Sequence, residues 1–233
     1  LRAGSAVVVA GTLAAFGEPP ASGDLRRPYG LALDDGDDVL YIADQGNHVV
    51  RALDLGTGNL SVIAGVFGEP GSGGDGGAVT AARLWSPSGL ALSTAGGAKR
   101  LFIADTENHA VRVVDLSAQR ITTVAGVLGT PGRAVDGNAA IEAELYFPYS
   151  VAVDSVAQQL FIADNWNHAI RMVDLSSGLM TTLAGVLGTY GTAGDGGRAD
   201  LAQMHFPQGL ALDMEARRLY VADSGNHALR LVA

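Results

Sequence analysis

The chain has 233 residues, 48% of them hydrophobic and 17% charged, which is ample for a buried core and too apolar for a disordered chain. Its 15 Lys and Arg against 24 Asp and Glu leave a net charge of −9, and the basic residues come at most in pairs such as Arg26-Arg27, so nucleic acid is a disfavoured partner. The absence of cysteine excludes disulfides, thiolate metal sites and cysteine nucleophiles, and no apolar run approaches the roughly 18–20 residues of a membrane-spanning helix. The chain begins at Leu1 rather than Met, as a trimmed or processed chain would, and its composition fixes no compartment.

In chain order, the first strand-like run is Ala6–Gly11 (AVVVAG), followed by a connection over 12–27. Pro28 then opens a set of four short apolar or alternating runs: Gly30–Asp34, Val39–Ala43, Val49–Asp54 and Leu60–Ala64. Turn residues such as Asp35-Gly36-Asp37 and Gly56-Thr57-Gly58 separate them, which predicts an antiparallel meander. The set returns behind Pro87, Pro148 and Pro207, at spacings of 59, 61 and 59. Within it, Ala43-Asp44-Gln45-Gly46-Asn47-His48-Val49-Val50-Arg51 recurs at Ala104–Arg112, Ala163–Arg171 and Ala222–Arg230. The chain is one repeat array. Four-stranded antiparallel sheets repeated radially make an all-β propeller, with blades at about 28–65, 87–126, 148–185 and 207–233 of a single domain, 1–233. Solenoid units of ~20–45 residues are shorter than this period.

The last unit stops after its third run, whereas Ala6–Gly11 has the form of the fourth runs ending in Gly65, Gly126 and Gly185. The expectation is that 6–11 completes the fourth blade and covers the edge of Leu229–Val232; the alternative assigns it to an upstream blade. The connections 66–86, 127–147 and 186–206 each have 21 residues and share a plan: an Asp-Gly pair (Asp75, Asp136, Asp195) before an Ala-rich segment. That segment reads as a two-turn helix with the Asp at its start, where a carboxylate suits the dipole. Without a lysine after them, the glycines are no phosphate cradle.

The Ala-Asp-x-x-Asn-His-x-(Val/Ile/Leu)-Arg segments, with Pro-x-Gly-(Leu/Val)-Ala-(Leu/Val) at each head (Ser150 replacing the glycine in the third), resemble the NHL-repeat family of β-propellers over essentially the whole chain after Ala6. The resemblance implies blades, most often six per ring, so this chain is either a four-bladed ring or part of a larger one. It also implies a range of functions: protein-interaction modules, sensor ectodomains, RNA-binding domains and, in one branch, peptide-amidating lyases. Fold therefore does not fix function.

Sixteen residues recur once per unit: Asp44, Asn47, His48 and Arg51; Asp105, Asn108, His109 and Arg112; Asp164, Asn167, His168 and Arg171; Asp223, Asn226, His227 and Arg230. They are expected to fix the turn of each blade, each histidine pointing into its own blade. The innermost strand, by analogy with the family, is the one after each proline, and it carries no His, Lys or Arg. The one remaining histidine, His205, cannot hold a zinc by itself. Asp34, Asp154 and Asp213, at the strand ends, are the only candidates for a calcium site at one mouth of the channel, and each also stands where a turn favours Asp.

No cofactor is therefore expected. The connections and the second-to-third-strand turns should share one face, which collects Tyr29, Trp85, Tyr146, Tyr149, Trp166 and Tyr190, with Phe147 and Phe206 packed beneath the connections. Aromatics on a rigid rim are typical partner anchors. The residues thus point to a non-catalytic binding or scaffold module for a protein or peptide, within a larger protein or assembly, with no nucleic acid and no membrane insertion. The alternative is a calcium-dependent lyase or hydrolase with a channel site, related to the amidating branch.

Overall fold

The computed structural model describes residues 7–11 and 24–233. Its first blade is the meander β1 (Pro28–Asp34), β2 (Val39–Asp44), β3 (Val49–Asp54) and β4 (Leu60–Ala64), hydrogen-bonded in that order. The second is β5 (Pro87–Ser93), β6 (Arg100–Asp105), β7 (Ala110–Asp115) and β8 (Arg120–Ala125). The third is β9 (Pro148–Asp154), β10 (Gln159–Asp164), β11 (Ala169–Asp174) and β12 (Met180–Ala184). The fourth is β13 (Pro207–Asp213), β14 (Arg218–Asp223) and β15 (Ala228–Val232). All pairings are antiparallel, so the molecule is an all-β, four-bladed propeller.

Alternation within the strands gives each sheet two apolar faces. The trailing face of the first blade (Ala32, Tyr41, Ala43, Val50) packs on the leading face of the second (Leu90, Leu101, Ile103, Val114, Ile121). The same pairing joins the second blade to the third, through Ala91, Phe102, Ala104 and Val111 against Val151, Leu160, Ile162, Val173 and Met180. It joins the third to the fourth through Ala152, Phe161, Ala163 and Ile170 against Leu210, Leu219 and Val221. Innermost strands pack in sequence, β1 on β5, β5 on β9 and β9 on β13.

Two expectations are corrected. Residues Val7–Gly11 form no strand, Val7, Val8 and Val9 are exposed, and the fourth sheet has three strands among the described residues. Ala6 lies outside them. In the other blades the glycine after the fourth strand donates its N–H to an Ala-rich latch in the following connection (Gly65 to Val79 O, Gly126 to Ala140 O, Gly185 to Ala199 O). The latch is also no two-turn helix. It contains a single 3₁₀ turn at Ala140–Glu142 and Ala199–Leu201, because its backbone is bonded to the next blade's outer strand instead. Gly76 N–H donates to Ile121 O, and Gly137 N–H donates to Met180 O. The connections 66–86 and 127–147 thus cover the outer edge of the blade that follows each of them.

Candidate functional site: the connection face

The repeat residues build one buried network per blade. Asn47, Asn108, Asn167 and Asn226 each donate through Nδ2 to Oδ2 of the Asp three positions earlier, at 2.8–2.9 Å. The same amides donate to carbonyls of the incoming connection, Asp24, Gly71, Gly132 and Gly191, at 2.7–2.8 Å. The other carboxylate oxygen of Asp44, Asp105, Asp164 and Asp223 accepts the N–H of Arg26, Trp85, Tyr146 and His205 at 2.7–2.8 Å. All four carboxylates are fully buried, so these donors replace the water they have lost.

His48, His109 and His168 reach the next blade rather than their own. His48, His109, His168 and His227 close the 3₁₀ turn in left-handed conformation (φ 53 to 59), which His tolerates better than most residues. From there, Nδ1 of His48, His109 and His168 accepts the N–H of Ser86, Phe147 and Phe206, the residue before the next blade's proline, at 3.1–3.2 Å. Those three residues are themselves left-handed (φ 49 to 51), and a bond from each neighbouring blade pins the pair of residues that leads into the inner strand.

An accepting Nδ1 requires a neutral imidazole. Burial lowers the pKa of His48, His109 and His168 below 6.5, with Arg26 adding to the shift at His48 and His205 at His168. Such a group contributes stability that is present above the unfolded value and lost as pH falls below it. Burial pushes Asp105 up to about 6 and Asp164 up to about 7 against the donors that pull them down, and these act in the opposite sense as pH falls. A comparison isolates the histidine: in His109→Gln the amide oxygen can accept the same N–H without titrating. From about pH 7.5 to about 5.5, wild type should therefore lose more unfolding free energy than the variant in urea titrations. Equal slopes would show that the Nδ1 bond does not matter.

The connection's Asp has a different partner from the one expected. Asp75, Asp136 and Asp195 cap nothing; they pair with Arg112, Arg171 and Arg230 of the following blade at 2.8, 3.1 and 2.7 Å. Each of those arginines also faces its own blade's Asp at 3.5, 3.8 and 3.1 Å. The arginine thus ties the outer connection to the inner turn.

These bonds bring the aromatic residues to one rim. The turn between second and third strands is bonded to the incoming connection, as in Trp166 N–H to Tyr146 O and Glu107 N–H to Trp85 O. Rings then follow one another across the second, third and fourth blades. Tyr146 stacks on Phe147 (5.3 Å), both contact Trp166 (5.2 and 5.5 Å), and Trp166 meets Phe206 (5.7 Å). Phe206 contacts His168 (4.8 Å), and Tyr190 stacks on His205 (4.9 Å). Trp166 and Tyr190 are exposed, while Phe147 and Phe206 are partly buried beneath them. Tyr29 and Tyr149 meet edge to face at 6.0 Å, beside this strip on the inner strands. Trp85 is exposed at the register of Tyr146 and joins none of these ring contacts. The part of His205 and Phe206 in the strip was hidden in the sequence; their signal was positional, since they occupy the two places before a proline that Tyr146 and Phe147 fill one unit earlier.

The NHL-repeat family model matches residues 204–230, which hold the fourth Asp–Asn–His–Arg network. NHL repeat-containing protein 2 of Gallus gallus is 34% identical over 212 residues, 84% of this chain. The chain is an NHL-repeat β-propeller. It spans 28% of the length of that relative. In fold it is similar to a Bacteroides thetaiotaomicron structural-genomics protein of unknown function (TM-score 0.69, 18% identity, 88% of this chain and 47% of that one). It is similar too to a chain of a nidogen–laminin complex (TM-score 0.60, 20% identity, 89% and 60%).

The opposite mouth of this NHL propeller holds the three carboxylates considered for calcium, and each has other work. Asp34 is buried against Lys99 Nζ at 2.6 Å, and Lys99 reaches Asp37 as well, at 2.7 Å. The two carboxylates push the Lys99 pKa up to about 12. Asp154 accepts the N–H of Val156 and Ala157, and Asp213 that of Ala216, each closing its own turn. The three are not brought together, and no group of three metal-ligating side chains occurs among the described residues. Lys99 also lines a cleft of ≈ 440 Å³ between the first and second blades, with Tyr41, Ile63 and Leu116, but its charge is already matched there.

Proposed function

We propose that this NHL propeller is a non-catalytic binding module that presents its connection face to a protein or peptide partner, within a larger protein or assembly. The observation that carries the reading is the ring-to-ring strip from Tyr146 to His205, whose exposed members Trp166 and Tyr190 sit on partly buried Phe147 and Phe206 and on buried His168. Aromatic side chains already fixed by packing lose little entropy when a partner covers them. The backbone beneath is held by the Asp and His bonds of two blades, so the platform is pre-organised. The likeness to a chain from a nidogen–laminin complex agrees with this reading.

The test is capture from native extract with immobilised protein, followed by titration calorimetry of the recovered partner against wild type and Trp166→Ala/Tyr190→Ala. Loss of one central aromatic anchor typically costs ≥ ~2 kcal/mol, about 30-fold in Kd. Both side chains are exposed, so the melting temperature should hold. Undiminished affinity in the double variant would move the binding site elsewhere.

A further inference from the structure

The aromatic strip of the connection face offers a partner rings and side-chain donors, and little backbone. The main-chain N–H groups of Tyr146, Phe147, Trp166, His205 and Phe206 are all spent inside the chain, on Asp164, His109, Tyr146 O, Asp223 and His168. The strip therefore has no run of unspent N–H groups to which a partner could add a β-strand. Side chains carry what remains. Among the described residues, the indole N–H of Trp166 and the hydroxyls of Tyr146 and Tyr190 make no hydrogen bond. An indole N–H only donates, and a phenol can donate as well as accept. The six rings Tyr146, Phe147, Trp166, Tyr190, His205 and Phe206 bring no Asp, Glu, Lys or Arg into the strip, so a basic segment would find no carboxylate among them.

We propose that the strip recognises a proline-rich segment of the partner in the polyproline II conformation, an inference that rests on the reading of this face as a binding surface. The chemistry of the two sides matches. Proline has no N–H to satisfy, and polyproline II leaves every carbonyl without an internal bond, so the segment asks for donors alone. The indole and the two phenols supply them. Pyrrolidine rings are apolar and uncharged, and they pack against aromatic faces.

The dimensions match as well. Centroid steps of 5.7, 4.5 and 4.9 Å lead from Trp166 through Phe206 and His205 to Tyr190, and polyproline II turns once every ~9 Å. Residues one to two turns apart on the segment therefore reach both exposed rings, with the partly buried Phe206 and His205 as the floor between them. Both sides are also stiff beforehand. The platform is held by the Asp and His bonds beneath it and the segment by its fixed φ, so little ordering entropy is lost on contact.

The probe is acetylated, amidated decaproline, with a Gly-Ser decapeptide as control. Titrations follow tryptophan fluorescence in Trp85→Phe, where Trp166 is the one remaining reporter. The expected result is a saturable change with decaproline and roughly 10-fold weaker binding, or less, of the Gly-Ser peptide. In the same background Tyr190→Ala should weaken decaproline roughly 10-fold, and Tyr190→Phe by a few-fold, since the ring stays and the donor goes. Tyr190 is exposed, so unchanged circular dichroism should confirm that both variants fold. Decaproline that binds no more tightly than the Gly-Ser peptide, or that ignores Tyr190→Ala, overturns the proposal. If decaproline fails while a captured partner still loses affinity for Trp166→Ala/Tyr190→Ala, the binding face stands and its polyproline assignment falls. Undiminished affinity of that partner for the double variant removes the face itself, and this inference with it.

Discussion

Asp105→Ala should cost about 3–5 kcal/mol of unfolding free energy, among the largest single losses available in this chain. The substitution removes the acceptor of Trp85 N–H and Asn108 Nδ2 and strips the near carboxylate from Arg112, whose side chain is fully buried. What remains for Arg112 is Asp75, on the solvent side and part-exposed. Nε of Arg112 is already buried without an acceptor, so the guanidinium is incompletely matched even in wild type. Removing that charge as well, in Asp105→Ala/Arg112→Met, should recover more than half of the loss, because an apolar side chain leaves no buried ion behind. Asp75→Ala should cost well under half as much, since water can reach the arginine from that side. Urea unfolding followed by circular dichroism ranks the three. An Asp105→Ala loss below about 1 kcal/mol, or a double variant no better than the single, would mean that the network is not a keystone of the blade.

Gly89→Ala should destabilise by about 3 kcal/mol or more, the upper range for overpacking, while Gly209→Ala should stay within about 0.5 kcal/mol of wild type. The two glycines hold the same place in the repeat. At Gly89 a methyl group would lie 2.6 Å from Ser150 Cα and 2.8 Å from Tyr149 O, both backbone atoms that cannot rotate away. The second and third inner strands would have to part, and with them the bond from Ser88 Oγ to Tyr149 O. At Gly209 the nearest atom is 3.4 Å away in its own blade. Thermal melts of both variants decide the matter, and equal effects would contradict the inner-strand packing.

Pattern that is local in the chain was legible without coordinates. The runs Val49–Asp54 and Leu60–Ala64 are strands with the bounds read from the sequence, because alternation and turn residues act over a few positions. The Asp–Asn contact within each turn is also local, three residues apart. What the sequence could not reveal are partners chosen across blades. Asp75, read from the sequence as the start of a local helix, is bonded to an arginine 37 positions on, and Nδ1 of His48 accepts from Ser86, 38 positions on. The Ala-rich segments illustrate the same limit: their intrinsic helix preference is outweighed by bonds to the neighbouring outer strand.

Composition, charge and a repeat of about 60 residues by themselves determined an acidic, cysteine-free, four-unit β-propeller and the set of aromatics available to a partner. They do so because strand, turn and repeat are encoded over short spans. Only the tertiary structure decided that the aromatics join into one strip and that His48, His109 and His168 bridge blades. Those outcomes depend on which faces meet when sheets pack, and a face acquires its neighbour only in three dimensions.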